Sequence, residues 1–209
     1  MIAIVDYGVG NLFSLSSSFG FLGQEACVTS DPAVIRRADR LVLPGVGAFE
    51  DAAKKLRESG LDRIVIEEAS RGKPLLGICL GMQMLFDKSY EYGEHEGLGL
   101  IHGEVRPMRG VIPHELKIPH IGWNALKLTD CAHPLFRYVK DGDCVYFVHS
   151  FFGTDCDESL IATAEYGKDL TAAVANKNVM GTQFHPEKSG AVGLNILKAF
   201  CEIEGNKIP

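Results

Sequence analysis

The chain has 209 residues, of which 46% are hydrophobic and 23% charged, and it carries a formal net charge of −6. That length suits one well-cored α/β domain spanning 1–209, while the acidic balance leaves no basic footprint for nucleic acid. No stretch approaches the ~20 apolar residues of a membrane span, and the opening "MIAIVDYG" has neither the basic nor the long apolar region of a secretion signal, so a cytoplasmic protein is expected.

"IAIVD" (2–6) is a short β-branched run that predicts a strand, and "GVGNL" follows as a turn with Asn11 as the candidate N-cap of a helix. Leu12, Leu15, Phe19 and Leu22 then recur at spacings of three and four, giving one apolar helical face that stops at Gly23. "EACVT" (25–29) predicts a second strand, "SDP" (30–32) caps a short helix with proline at its first position, and "RLVLPG" (40–45) predicts a third strand. "FEDAAKKLRESG" and "LDRIVIEEASRG" read as amphipathic helices closing at Gly60 and Gly72, before "KPLLGIC" (73–79) makes a fourth strand. Alternating strands and helices imply a parallel sheet that binds its ligands beyond the carboxyl ends of the strands. From about Gly97 the texture becomes more antiparallel, with strands expected at "CVYFV" (144–148), "LIATAEY" (160–166), "TAAVAN" and "NVMGTQF" (178–184). An amphipathic helix carrying Val192, Ile196, Leu197 and Phe200 closes the pattern.

The six cysteines form no C-x-x-C pair and read as free thiols. The histidines lack metal-ligand spacing, since His114 and His120 fall in a loop-like stretch bounded by Pro113 and Pro119. Neither a metal nor a cofactor is expected.

Gly77-Ile78-Cys79-Leu80-Gly81 has the form of a nucleophile elbow, with glycines at −2 and +2 permitting a sharp strand-to-helix turn. A buried cysteine is more often a small hydrophobe, so the elbow acquires meaning from its partners. A helix opening at Gly81 aims its unpaired N–H groups at the sulfur and favours the thiolate, and the Leu80 N–H sits where an oxyanion develops. "FHPEKSG" offers a base in His185 and, two residues on along an extended segment, Glu187 on the same face to orient it. By itself His185 reads more readily as a strand-end histidine in a surface turn, and its pairing with the elbow reverses that reading. "LPGVGAF" (43–49) is either a glycine-rich turn or, through Gly45 and Gly47, a backbone that turns N–H groups into the cleft beside Cys79.

Gly77 to Gln83 together with Phe184-His185-Pro186-Glu187 resembles the class I (triad) glutamine amidotransferases, whose fold is a flavodoxin-like α/β with a mostly parallel central sheet and an additional smaller antiparallel sheet. "DYGVGNLFSL", "LPGVGAF", "PHIGWN", "YFVHSFF" and "FHPEKSG" in that order look like the histidine-biosynthetic branch of that family. The resemblance implies that Cys79, His185 and Glu187 hydrolyse L-glutamine to glutamate and ammonia, that Val46 and Leu80 donate the oxyanion-hole N–H groups, and that Gly45, Gln83, Glu91, Ser150 and Phe151 hold the amino-acid end. It further implies a (βα)8-barrel cyclase subunit, HisF-like, as heterodimer partner, receiving ammonia through a channel, with Asn11, Tyr146 and Lys188 facing it. So few residues follow Glu187 that the ammonia acceptor is expected on another chain. Two alternatives stand beside this reading. One is a glutaminase serving another acceptor, such as pyridoxal phosphate synthesis, and the other is a non-catalytic thiol sensor or chaperone on a related fold.

Overall fold

A computed structural model describes residues 1–205. In chain order it contains β1 (Ile2–Val5), α1 (Leu12–Phe21), β2 (Ala26–Thr29), α2 (Pro32–Arg37), β3 (Arg40–Gly45), α3 (Phe49–Glu58), α4 (Leu61–Ser70), β4 (Leu75–Cys79) and α5 (Leu80–Met84). The second half contributes β5 (Lys88–Ser89), β6 (His95–Glu96), β7 (Glu104–Pro107), β8 (His120–Leu128), β9 (Cys144–His149), β10 (Phe151–Thr154), β11 (Leu160–Glu165), β12 (Asp169–Asn176), β13 (Val179–Thr182) and α6 (Gly190–Glu202). No described helix is long and apolar enough to cross a membrane.

Nine strands form one sheet in the order β2-β1-β3-β4-β13-β12-β11-β8-β9. The first five are mutually parallel and the rest antiparallel. A second sheet, β10-β7-β5-β6, is antiparallel except at its β5–β7 pairing. The more antiparallel texture expected of the second half holds for most of its pairings, but β13, antiparallel to β12, also runs parallel beside β4, with Thr182 opposite Ile78. That placement carries the "FHPE" segment to the carboxyl end of β4.

The central strands are apolar on both faces, and their period-2 alternation sorts them into two cores. Ala3, Val5, Leu41, Leu43 and Leu75 pack with α2, α3 and α4 residues such as Ile35, Leu56 and Val65. Ile2, Ile4, Val42, Leu76 and Ile78 pack on the other face with Leu15 and Phe19 of α1 and Ile196, Leu197 and Phe200 of α6. Asp31 caps α2 as expected, accepting from the Ala33 N–H at 2.8 Å. Asn11 precedes α1 but makes no side-chain capping bond.

β8 escaped the sequence reading because its pattern is inverted: the outward residues Ile121 and Trp123 are apolar yet 59% and 55% exposed, while the inward His120 is buried. His120 therefore opens a strand and does not belong to a loop.

The fold's tightest crossing lies where β3 meets the turn after β4. A Cβ added at Gly81 would lie 1.9 Å from the Leu43 carbonyl oxygen, and one added at Gly77 would lie 2.7 Å from the Gly81 carbonyl oxygen. Backbone touches backbone there, so no side chain can move aside. Gly81→Ala should therefore lower stability by about 3 kcal/mol in denaturant unfolding. Gly20→Ala, with open space around its Cβ in α1, should be neutral or stabilising by up to ~1 kcal/mol.

Candidate active site

Cys79 ends β4, opposite Gly45 at the end of β3. It adopts φ +56° and ψ −112°, a strained conformation for a residue with a Cβ, and α5 begins at the next residue, Leu80, one position earlier than the sequence suggested. The turn lifts the sulfur out of the sheet's carboxyl edge. As the first residue of α5, Leu80 has an N–H with no partner within the helix. Gly45 does not border the cavity: it supports the turn from behind, where an added Cβ would lie 2.7 Å from Gly81 N and 3.0 Å from the Tyr7 hydroxyl. It has no side chain to offer a ligand, and the crowding requires that. The Tyr7 hydroxyl donates to the Pro44 carbonyl at 2.6 Å, and burial together with the Cys79 charge pushes its pKa well above the ordinary tyrosine range.

His185 lies at the end of the neighbouring strand β13, its backbone N–H bonded to the Tyr146 carbonyl at 3.0 Å. His185 and Cys79 line the same cavity. Nδ1 lies 2.8 Å from Glu187 Oε1, and both side chains are almost fully buried. Burial by itself disfavours the imidazolium, but the hydrogen bonds and charges of Cys79 and Glu187 outweigh it and push the His185 pKa up to about 9. Cysteine, imidazole and carboxylate thus form one continuous polar line.

A cavity of about 410 Å³ opens over the sulfur, bordered by Val46, Gly47, Leu80, Gln83, Glu91, Ser150, Phe151, His185 and Lys188 among others. Asn11 and Tyr146 lie outside its wall. Lys188 is exposed, and Tyr146 pairs across β8–β9 with Trp123, the two rings meeting edge-on at 6.1 Å. Glu91 reaches the cavity from the loop after β5, and its Oε2 accepts from the Phe49 N–H, the first of α3, at 2.8 Å. Ala48, at the cap position, has no side chain able to do this, so Glu91 caps the helix from a distance. Burial raises the Glu91 pKa, against the opposing pull of the Phe49 N–H and of His95.

Two further buried side chains meet this site that the sequence reading did not single out. His149 donates from Nδ1 to the Phe151 carbonyl at 2.8 Å, and burial, opposed by that bond and aided by His120 and His185, pushes its pKa down to about 3. Gln183 is fully buried against Cys79. Gln183 lies two residues before His185 along the chain, and that spacing was the available signal. Glu187, expected beside His185 along an extended segment, instead sits in the 3-10 turn Pro186–Lys188, which folds its carboxylate back onto the imidazole.

A larger cavity of about 700 Å³ lies elsewhere, beside Asp130, His133 and Asp157, and contains none of the residues gathered around Cys79.

Two outcomes follow from the electrostatics and the cap. A histidine whose folded pKa is raised contributes stability that is fully present below its ordinary value of 6.5 and lost as pH rises through about 9. The melting-temperature advantage of wild type over Glu187→Gln should accordingly shrink between pH 6.5 and pH 10. Glu91→Ala, which leaves the Phe49 N–H without its acceptor, should cost about 1 kcal/mol in denaturant unfolding, whereas Glu91→Gln keeps an acceptor oxygen and should lose less.

A family model described as glutamine amidotransferase class-I matches residues 3–203. The chain is 50% identical over 202 residues to the imidazole glycerol phosphate synthase subunit HisH of Lactococcus lactis subsp. lactis, covering 96% of this chain and 98% of that one. It is 48% identical to the subunit of the same name from Syntrophotalea carbinolica, covering 97% and 100%. Among solved structures, a glutamine amidotransferase crystal structure superimposes with a TM-score of 0.75 at 20% identity over 97% of this chain and 98% of that one. The glutaminase domain of a CTPS from Trypanosoma brucei with bound acivicin gives 0.67 at 15% identity, over 100% and 97%, and both likenesses speak to the fold alone. The chain belongs to the class-I glutamine amidotransferase family, within its group of HisH subunits.

Proposed function

We propose that this chain, acting in the cytoplasm as one domain over 1–209, is the glutaminase subunit of an imidazole glycerol phosphate synthase and works through Cys79, His185 and Glu187. The observation that carries the reading is the strained Cys79 turn opening on a cavity that it shares with an imidazole held by Glu187 at 2.8 Å. Strain at a buried cysteine has no packing advantage, and it presents a thiol to a base.

The chemistry runs in two halves. The Cys79 thiolate attacks the carboxamide carbon of L-glutamine, and the carbonyl electrons move onto oxygen, toward N–H groups of Val46 and Leu80. The protonated His185 gives its proton to the departing nitrogen, releasing ammonia and leaving a glutamyl thioester. Neutral His185 then takes a proton from water, the resulting hydroxide adds to the thioester carbon, and the sulfur leaves as thiolate with glutamate as product. Glu187 holds the imidazole by Nδ1 throughout, so that Nε2 faces the sulfur. Gln83, Glu91 and the Ser150-Phe151 segment hold the amino-acid end, with the Glu91 carboxylate against the α-ammonium. Gly45 serves the oxyanion loop by letting it lie against the turn.

The ammonia goes to a (βα)8-barrel cyclase subunit, as heterodimer partner, for formation of imidazole glycerol phosphate and aminoimidazole carboxamide ribotide in histidine biosynthesis. Asn11, Tyr146 and Lys188 face that partner, and the exposed Ile121 and Trp123 beside Tyr146 give the surface the apolar character an interface core needs.

One variant tests the whole reading. Removing a single sulfur from a partly open turn leaves the fold intact, so Cys79→Ala should co-purify with the cyclase subunit. In that complex, glutamine-dependent formation of imidazole glycerol phosphate should fall at least about a thousandfold. Added ammonium salt at raised pH, where free ammonia is more abundant, should still support it. Glutamine consumption near the wild-type rate would overturn the assignment of the nucleophile.

A further inference from the structure

Gln183 has no role in the reaction as derived so far, yet its side chain is one of the few polar groups that touch the reacting sulfur. Its Nε2 lies 3.8 Å from Cys79 Sγ, and its Oε1 accepts from Gln83 Nε2 at 3.0 Å. The same Gln83 nitrogen donates its other hydrogen to the Phe151 carbonyl at 3.2 Å. The directions of these bonds are fixed from one end. A backbone carbonyl only accepts, so Gln83 must turn its NH2 toward Phe151 and, from the same nitrogen, toward Gln183. Gln183 must then present its oxygen to Gln83 and its NH2 to the sulfur. Reversing either amide sets oxygen against oxygen or nitrogen against nitrogen.

We infer that Gln183 is a catalytic residue of this site, donating a hydrogen bond to the Cys79 thiolate, with Gln83 as the positioning residue that orients it. The inference rests on Cys79 being the nucleophile. An NH2 group only donates, so Gln183 selects the form of the sulfur that accepts, and bonds to charged acceptors are the stronger kind. The titratable groups around the sulfur are Tyr7 and His185, with His149 behind the imidazole. The neutral phenol and the neutral His149 leave His185 as the sulfur's cationic partner. Gln183 supplies a second donor that carries no charge and does not leave during the reaction. Its donation comes from the β13 side, away from the cavity wall, so it does not compete with glutamine for space. Gln83 also borders that cavity, which ties occupancy of the amino-acid site to the amide that holds the sulfur.

The test uses the full-length chain and its Gln183→Met variant, which is similar in length and lacks the donor. Iodoacetamide alkylation of the Cys79 peptide, followed by mass spectrometry, should be about tenfold slower than wild type at pH 7. In the cyclase complex, kcat for glutamine should fall while KM stays within about twofold, because Gln183 does not border the cavity. Should Gln183→Met fail to fold, Gln83→Met carries the test: with Gln183 present but unoriented, alkylation at pH 7 should slow severalfold. Wild-type alkylation rates at pH 7 in a folded Gln183→Met, or in Gln83→Met, overturn the inference. Those results leave the nucleophile reading standing, since that reading falls only if Cys79→Ala retains glutamine turnover.

Discussion

The site depends on one steric constraint: the backbone of the turn after β4 lies directly against the backbone of β3. Gly81 occupies the space under the Leu43 carbonyl, Gly77 faces Gly81, and Gly45 lies against the Gly81 nitrogen. With a side chain at any of these positions, β3 and β4 could not keep their register while the chain reverses into α5. Because they do keep it, Cys79 lies opposite Gly45 and is forced into a positive φ. The strain at Cys79 and the glycines around it are the two sides of one packing solution, in which the fold's central contacts compensate for a local conformation that the residue would not choose.

The second constraint is the position of β13. Inserted parallel to β4, it carries Gln183 and His185 to the carboxyl edge where Cys79 waits, and the 3-10 turn at Pro186–Lys188 folds Glu187 back onto the imidazole. The three side chains are buried together, and a buried charge needs its partners at hand. The site meets that need by concentrating positive charge on His185 and keeping its neighbour His149 neutral through burial and through donation to the Phe151 carbonyl. That carbonyl accepts from both His149 and Gln83, and so fixes the segment that borders the cavity.

The outer face of the same region has the opposite character. On β8 the positions that point away from the core include Ile121 and Trp123, and neighbouring large apolar side chains left exposed on one sheet face mark a surface that calls for cover. In the proposed reading the cover is the cyclase subunit, and the cavity mouth with Lys188 adjoins that face. The separation is economical in structural terms: the strands that hold His149 and Phe147 inward present Tyr146 outward by the same period-2 alternation.

Local signals carried much of this protein. Short apolar runs located β1, β3 and β4 to within about two residues, the period of apolar residues located α1, α3, α4 and α6, and glycines spaced around Cys79 with histidine and glutamate two apart located the polar line, since each pattern reflects backbone geometry within a few residues. What the tertiary structure alone decided is which distant segments meet. No local pattern states that β13 inserts beside β4, that Glu91 caps α3 across the cavity, or that Gln83 and Gln183, one hundred positions apart in the chain, share a hydrogen. β8 was illegible for a related reason: its outward face is apolar and its inward face carries His120, so burial, which is a property of the whole assembly, contradicted the alternation that the sequence displays.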